Sequence, residues 1–167
     1  MSVELKDAYQ RLVEAKGRST KIEVGTIAAR DYQKFAYAVG HLDERFLIPP
    51  GGVTSLGQLA EAPPTYLSAV MEWSAGPEES RLRSDGSQPD VTGGLPMEGL
   101  RLMGAGQDLE FHTPLTDGMT IFMNVSILDV TFKEGRSGAL ILLTVLKEYL
   151  DDQSRPVVTC RETIIAR

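Results

Sequence analysis

The chain has 167 residues, 42% apolar and 24% charged, which are ordinary proportions for one globular domain. Lys and Arg number 17 against 23 Asp and Glu, a net charge of −6 with no basic run, which argues against a grip on nucleic-acid phosphates. A single cysteine, Cys160, excludes an internal disulfide and a cysteine-cluster metal site.

The longest apolar run, Ala139–Leu143, is far short of the roughly 20 residues that span a bilayer. Met1 to Lys6 carries two charges and no apolar stretch, unlike a secretory leader. The expectation is a cytoplasmic protein with no membrane or nucleic-acid partner and no metal.

Leu5, Ala8, Tyr9, Leu12 and Val13 recur at helical spacing, and Gly17 offers a stop. Lys21 to Gly25 alternates Ile22 and Val24 with charge, the pattern of a short strand. Ala28 to Val39 returns to the helical period through Tyr32, Phe35, Ala36 and Val39, and Gly40 suits the left-handed cap. Fifteen of the 25 Gly and Pro residues then fall between Pro49 and Gly99, which predicts a loop-rich region.

One island interrupts those loops. Pro63, Pro64 and Thr65 open the segment Tyr66 to Ser74, YLSAVMEWS, whose apolar residues cover nearly the whole helical circumference. Such a helix is a buried one. Gly76 to Gly94 is polar and turn-rich, a long loop.

From Gln107 the period becomes two. Strands are expected at Asp108–Thr113, Met119–Phe132, Ala139–Leu150 and Pro156–Ile165, the last three joined by short turns as an antiparallel meander. In the long strand, Met119, Ile121, Met123, Val125 and Ile127 share one face, and Phe122, Asn124, Ser126, Leu128 and Val130 the other. An apolar sheet face must be covered. The expected architecture is α+β: a single hot-dog fold over 1–167, with a curved antiparallel sheet wrapped around the apolar helix and a loop-rich insertion at 76–100.

Four segments resemble the MaoC-like hydratase and dehydratase family, in particular its N-terminal-type domain. They are Phe35-Ala36-Tyr37-Ala38-Val39-Gly40, Ala62-Pro63-Pro64-Thr65-Tyr66, Phe111-His112-Thr113-Pro114-Leu115-Thr116-Asp117-Gly118, and the ending Thr163–Arg167. The resemblance implies reversible water addition to a 2-enoyl thioester of coenzyme A or an acyl carrier protein, without a further cofactor. It also implies a paired hot dog, as homodimer or heterodimer, since open sheet edges invite pairing.

Active members carry D-x-N-x-x-H after the helix corresponding to Ala28–Gly40, a pair suited to general acid–base catalysis. Here those three positions hold His41, Asp43 and Phe46, so the family's Asp and His are both missing. The resemblance therefore implies a substrate-binding subunit whose partner supplies the catalytic pair. His41 and Asp43 are the only acid–base candidates near the motif, and an exposed loop after a helix is the plainer reading of them.

Thr65, Tyr66, Leu67, Val70 and Met71 are the candidate acyl-binding residues; a plain core is the competing reading. Glu72 marks an alternative, a hot-dog thioesterase, and a third reading is an acyl-binding assembly module without chemistry. His112 reads as a half-exposed strand residue and Cys160 as inert packing.

Overall fold

The structure is a computed structural model and describes residues 3–47, 60–69, 77–82, 86, 94–135 and 138–167. Its elements are α1 (Val3–Ala15), β1 (Ser19–Thr26), α2 (Ala29–Ala38), α3 (Tyr66–Ala69), a 3-10 turn (Glu79–Arg81), β2 (Leu102–Phe111), β3 (Thr120–Gly135), β4 (Gly138–Asp151) and β5 (Pro156–Ala166). The five strands form one antiparallel sheet in the order β1-β3-β4-β5-β2. The fold is the expected hot dog. No described helix is long and apolar enough to cross a membrane.

Each helix end has a local cause. Gly17 closes α1 at φ +78°. Gly40, at φ +75°, lets the His41 N–H reach the Ala36 carbonyl (2.9 Å) and its own N–H reach Tyr37 (3.3 Å), a Schellman cap on α2. The start of α2 is held from far along the chain. Ala28 gives no side-chain cap, and Asp117 Oδ1 instead accepts from the Ala29 N–H at 2.7 Å. The adjoining turn pairs Gly118 N–H with the Ile27 carbonyl (2.9 Å) and Ile27 N–H with the Met119 carbonyl (2.8 Å).

The long strands match the period-two reading, with two differences. A bulge between Ile127 and Asp129 adds one residue to β3, so Val130 joins Ile121, Val125 and Ile127 among the buried residues rather than lying on the other face. β2 begins at Leu102, six residues before the expected start. Its first half, LMGAGQ, shows no alternation, and pairing with β5 makes it a strand (Leu102↔Ala166, Met103↔Ile165).

The inner face of the sheet carries two apolar clusters. One lies under α1 and joins Leu5, Ala8 and Leu12 to Val125, Ile127, Ile141, Leu143, Val145 and Ile164. The other lies under α2 and α3 and joins Tyr32, Tyr66 and Leu67 to Ile121, Tyr149, Val158 and Cys160. The expected central helix is present at its start, Tyr66–Ala69; its continuation, with Val70, Met71 and Glu72, lies outside the described residues.

Candidate functional site

Two adjoining pockets open beside α3. The larger, about 210 Å3, is walled by Arg45, Phe46 and Glu61 on one side and by His112, Thr113 and Leu115 on the other. The smaller, about 80 Å3, lies over the inner sheet face between Gln107, Leu109, Lys147, Tyr149, Cys160 and Glu162. Pro64, Leu67, Phe111 and Val158 border both.

Backbone bonds fix the larger pocket. Ala62 N–H donates to the Leu115 carbonyl (2.7 Å) and Glu61 N–H to Arg45 (2.9 Å). From α2, the Tyr32 hydroxyl donates to the Ala60 carbonyl and the Gln33 side chain to the Phe46 carbonyl, both at 2.6 Å. Phe46 is 4% exposed. The Arg45 guanidinium lies over its ring at 4.5 Å, and the His41 ring meets it edge-on at 5.4 Å. Phe46 stands at the sequence position where the family motif has histidine.

The other polar side chains of this pocket are bonded within the chain. Arg45 faces Glu61 at 3.8 Å, His112 Nε2 meets Thr159 Oγ1 at 2.9 Å, and Thr113 Oγ1 donates to the Pro156 carbonyl at 2.9 Å. Among the described residues, no carboxylate makes a hydrogen bond or ion pair with either histidine.

The sequence candidates separate. His41 is exposed and forms the tail of the α2 cap, and Asp43 Oδ1 accepts the Arg45 N–H at 2.8 Å in a local turn. Neither lines either pocket. Thr65 borders the smaller pocket and Leu67 both. Tyr66 lines neither. Its ring packs edge-on against Phe35 (5.5 Å) and Tyr32 (6.0 Å), and its buried hydroxyl has no partner among the described residues. Burial, then the nearby Asp31 charge, pushes that phenol up to about 12. Val70 and Met71 lie outside the described residues.

The smaller pocket contains a pair that the sequence reading passed over. Lys147 Nζ bonds Glu162 Oε2 at 2.6 Å, with the side chains only 12% and 18% exposed. A signal was available: Lys147 shares the phase of Ile141, Leu143, Val145 and Tyr149, and Glu162 that of Val158, Cys160 and Ile164. Each is a charge in an inward-pointing series. Their proximity follows from the β4–β5 register, which no local pattern encodes. Beside them, burial pushes the Cys160 thiol up, against the lowering effect of Lys147. Burial first, then the Cys160 and Glu162 neighbours, pushes the Tyr149 phenol up to about 12. Both groups are protonated at neutral pH.

Comparison with known proteins agrees with this fold. The chain superposes on the R-hydratase PhaJ1 from Pseudomonas aeruginosa with TM-score 0.61 and 19% identity, covering 90% of this chain and 81% of that one. A MaoC-like dehydratase from Rhodospirillum rubrum gives 0.61 and 19% over 90% and 91% of the two chains. The ChsH1–ChsH2 complex from Mycobacterium tuberculosis gives 0.64 and 12% over 97% and 90%. These likenesses show a shared fold. No curated protein matches by sequence. The family model for the FAS1-like dehydratase domain region matches residues 14–160, so the chain belongs to that family, within the MaoC-like hydratases and dehydratases.

Proposed function

We propose that this chain is the substrate-binding hot dog of a 2-enoyl-thioester hydratase, or 3-hydroxyacyl-thioester dehydratase, and pairs with a second hot dog that carries the catalytic residues. Phe46 is the observation that carries this reading. It is buried in the wall of the larger pocket, at the motif position of the family's histidine, so the cavity remains while the motif's imidazole is gone.

In the proposed reaction, water adds across the C2–C3 double bond, with hydroxyl to C3 and a proton to C2. Both proton movements need a base and an acid in reach of the substrate. A phenyl ring supplies neither. The partner's carboxylate and imidazole would do so, while this chain shelters the acyl group between Leu67, Pro64, Phe111 and Val158.

The β2 edge supports pairing. Only Leu102 and Leu109 of this strand are half-buried, and Met103 and Phe111 are exposed apolar side chains. Edge strands left open in this way are templates for another chain. Structural relatives include complexes of two different chains, ChsH1–ChsH2 and HadBC from Mycobacterium tuberculosis.

The test is crotonyl-CoA hydration, followed by loss of enoyl-thioester absorbance. The pure chain should show no hydratase-like rate, and adding a D-x-N-x-x-H hot-dog partner should produce one. Efficient hydration by the chain alone overturns the reading, and His112, the imidazole in the pocket wall, becomes the first residue to replace.

A further inference from the structure

The smaller pocket has a floor unsuited to a plain alkyl chain. Across the inner face, one row of the sheet reads Ile127, Val145, Glu162, Gln107, and the next reads Val125, Lys147, Cys160, Leu109. The ion pair therefore sits diagonally across β4 and β5, where the two apolar clusters meet. Gln107 flanks it on β2.

Stability does not account for this pair. Removing two charges from water is costly, and apolar replacements of buried pairs are commonly neutral or stabilising. Nor do the two groups exhaust each other. An ammonium has three N–H donors and a carboxylate about four acceptor sites, and the bond between them uses one of each.

We propose that Lys147 and Glu162 select a short acyl chain that carries a hydroxyl group near its far end. A hydroxyl accepts from the ammonium and donates to the carboxylate, so one neutral group uses both charges. A carboxylate would meet Glu162 as a like charge, and an alkyl end would cover the pair without bonding it. The volume of about 80 Å3 suits only the end of a short chain. With the thioester in the larger pocket, an acyl chain passing Leu67, which lines both pockets, would reach this group with its far end.

The inference rests on the acyl-thioester reading above, and the experiment separates the two. Binding of 6-hydroxyhexanoyl-CoA and heptanoyl-CoA to the purified chain is measured by calorimetry. The two are nearly isosteric, and neither can be hydrated. The hydroxylated ligand should bind at least about tenfold more tightly. The volume-matched variant Lys147→Met with Glu162→Gln should reverse that order. Equal binding, or preference for heptanoyl-CoA by the wild-type chain, overturns the inference and leaves the acyl-thioester reading standing. Failure of both ligands to bind overturns both. The wild-type comparison stands whether or not the double variant folds.

Discussion

Two ends of one sheet face have been put to different uses. Under α1, Leu12, Ile127, Ile141, Leu143 and Val145 are almost wholly buried and close-packed, with Leu5, Ala8 and Leu12 of α1 buried against them and Tyr9 and Ala15 partly so. Under α2 and α3, the same strands meet two tyrosines, a partnerless hydroxyl, an ion pair and two pockets. The first end is built like an ordinary core. The second sacrifices packing and polar satisfaction, which is where binding sites are found. Stability and ligand binding are thus separable along a single strand.

The largest expected effect on that contrast is catalytic. Supplying a catalytic partner should raise crotonyl-CoA hydration by orders of magnitude over the chain alone, whereas His41→Ala and Asp43→Ala in the mixture should leave the rate within about twofold, since neither lines a pocket. A severe loss from either replacement would put the acid–base chemistry back on this chain.

Next comes Leu12→Ala. Deleting a fully buried leucine should cost about 2–5 kcal/mol in urea unfolding, while the folded variant keeps wild-type affinity for acyl-CoA. Coupled losses of stability and affinity would show that the two ends are one cooperative unit.

Asp151 gives a smaller, pH-dependent effect. Burial alone would raise its carboxyl, but bonds from the backbone N–H groups of Arg155 (2.8 Å) and Gln153 (2.9 Å) and from Arg155 Nε (2.6 Å) hold it below the ordinary 3.8. A depressed carboxyl stabilises the fold above its unfolded pKa and loses that contribution as pH falls through the folded value. Melting temperature should therefore drop between about pH 5 and pH 2 in the wild-type chain. Asp151→Asn should melt a few degrees lower at pH 7 and show a flatter acid dependence; parallel profiles for the two proteins would exclude this role.

The smallest effect is Tyr66→Phe. Removing a buried hydroxyl without a partner should be neutral or stabilising by up to about 1 kcal/mol, seen as an unchanged or raised urea midpoint. A clear destabilisation would mean that the hydroxyl has a bonding role.

How much of this the sequence disclosed depends on how local each determinant is. The meander β3–β4–β5 is legible because alternation is written residue by residue along each strand. The cap of α2 is legible for the same reason, as Gly40 follows the last helical turn directly. The bulge that turns Val130 inward leaves no compositional mark, and the Gly-Ala-Gly start of β2 becomes a strand only through its partner. Phe46 was identifiable through the family motif, but its role as a pocket wall needed the contacts from Tyr32, Gln33 and Leu115 to be seen. The Lys147–Glu162 pair is the extreme case. Both charges stand in the inward-facing phase of their strands, and only the register brings them together.

The pairing of β1 has a consequence for synthesis. Its hydrogen-bonded neighbour is β3, with Ser19 opposite Ser126, and the cap of α2 comes from Asp117, 88 residues downstream. At about 5–20 residues per second, a ribosome needs several seconds to make the intervening chain. Throughout that interval the first strand has no edge to join and the second helix lacks its cap. The N-terminal segment must wait for the middle of the chain before it folds, and its apolar residues are open to chaperones until β3 emerges.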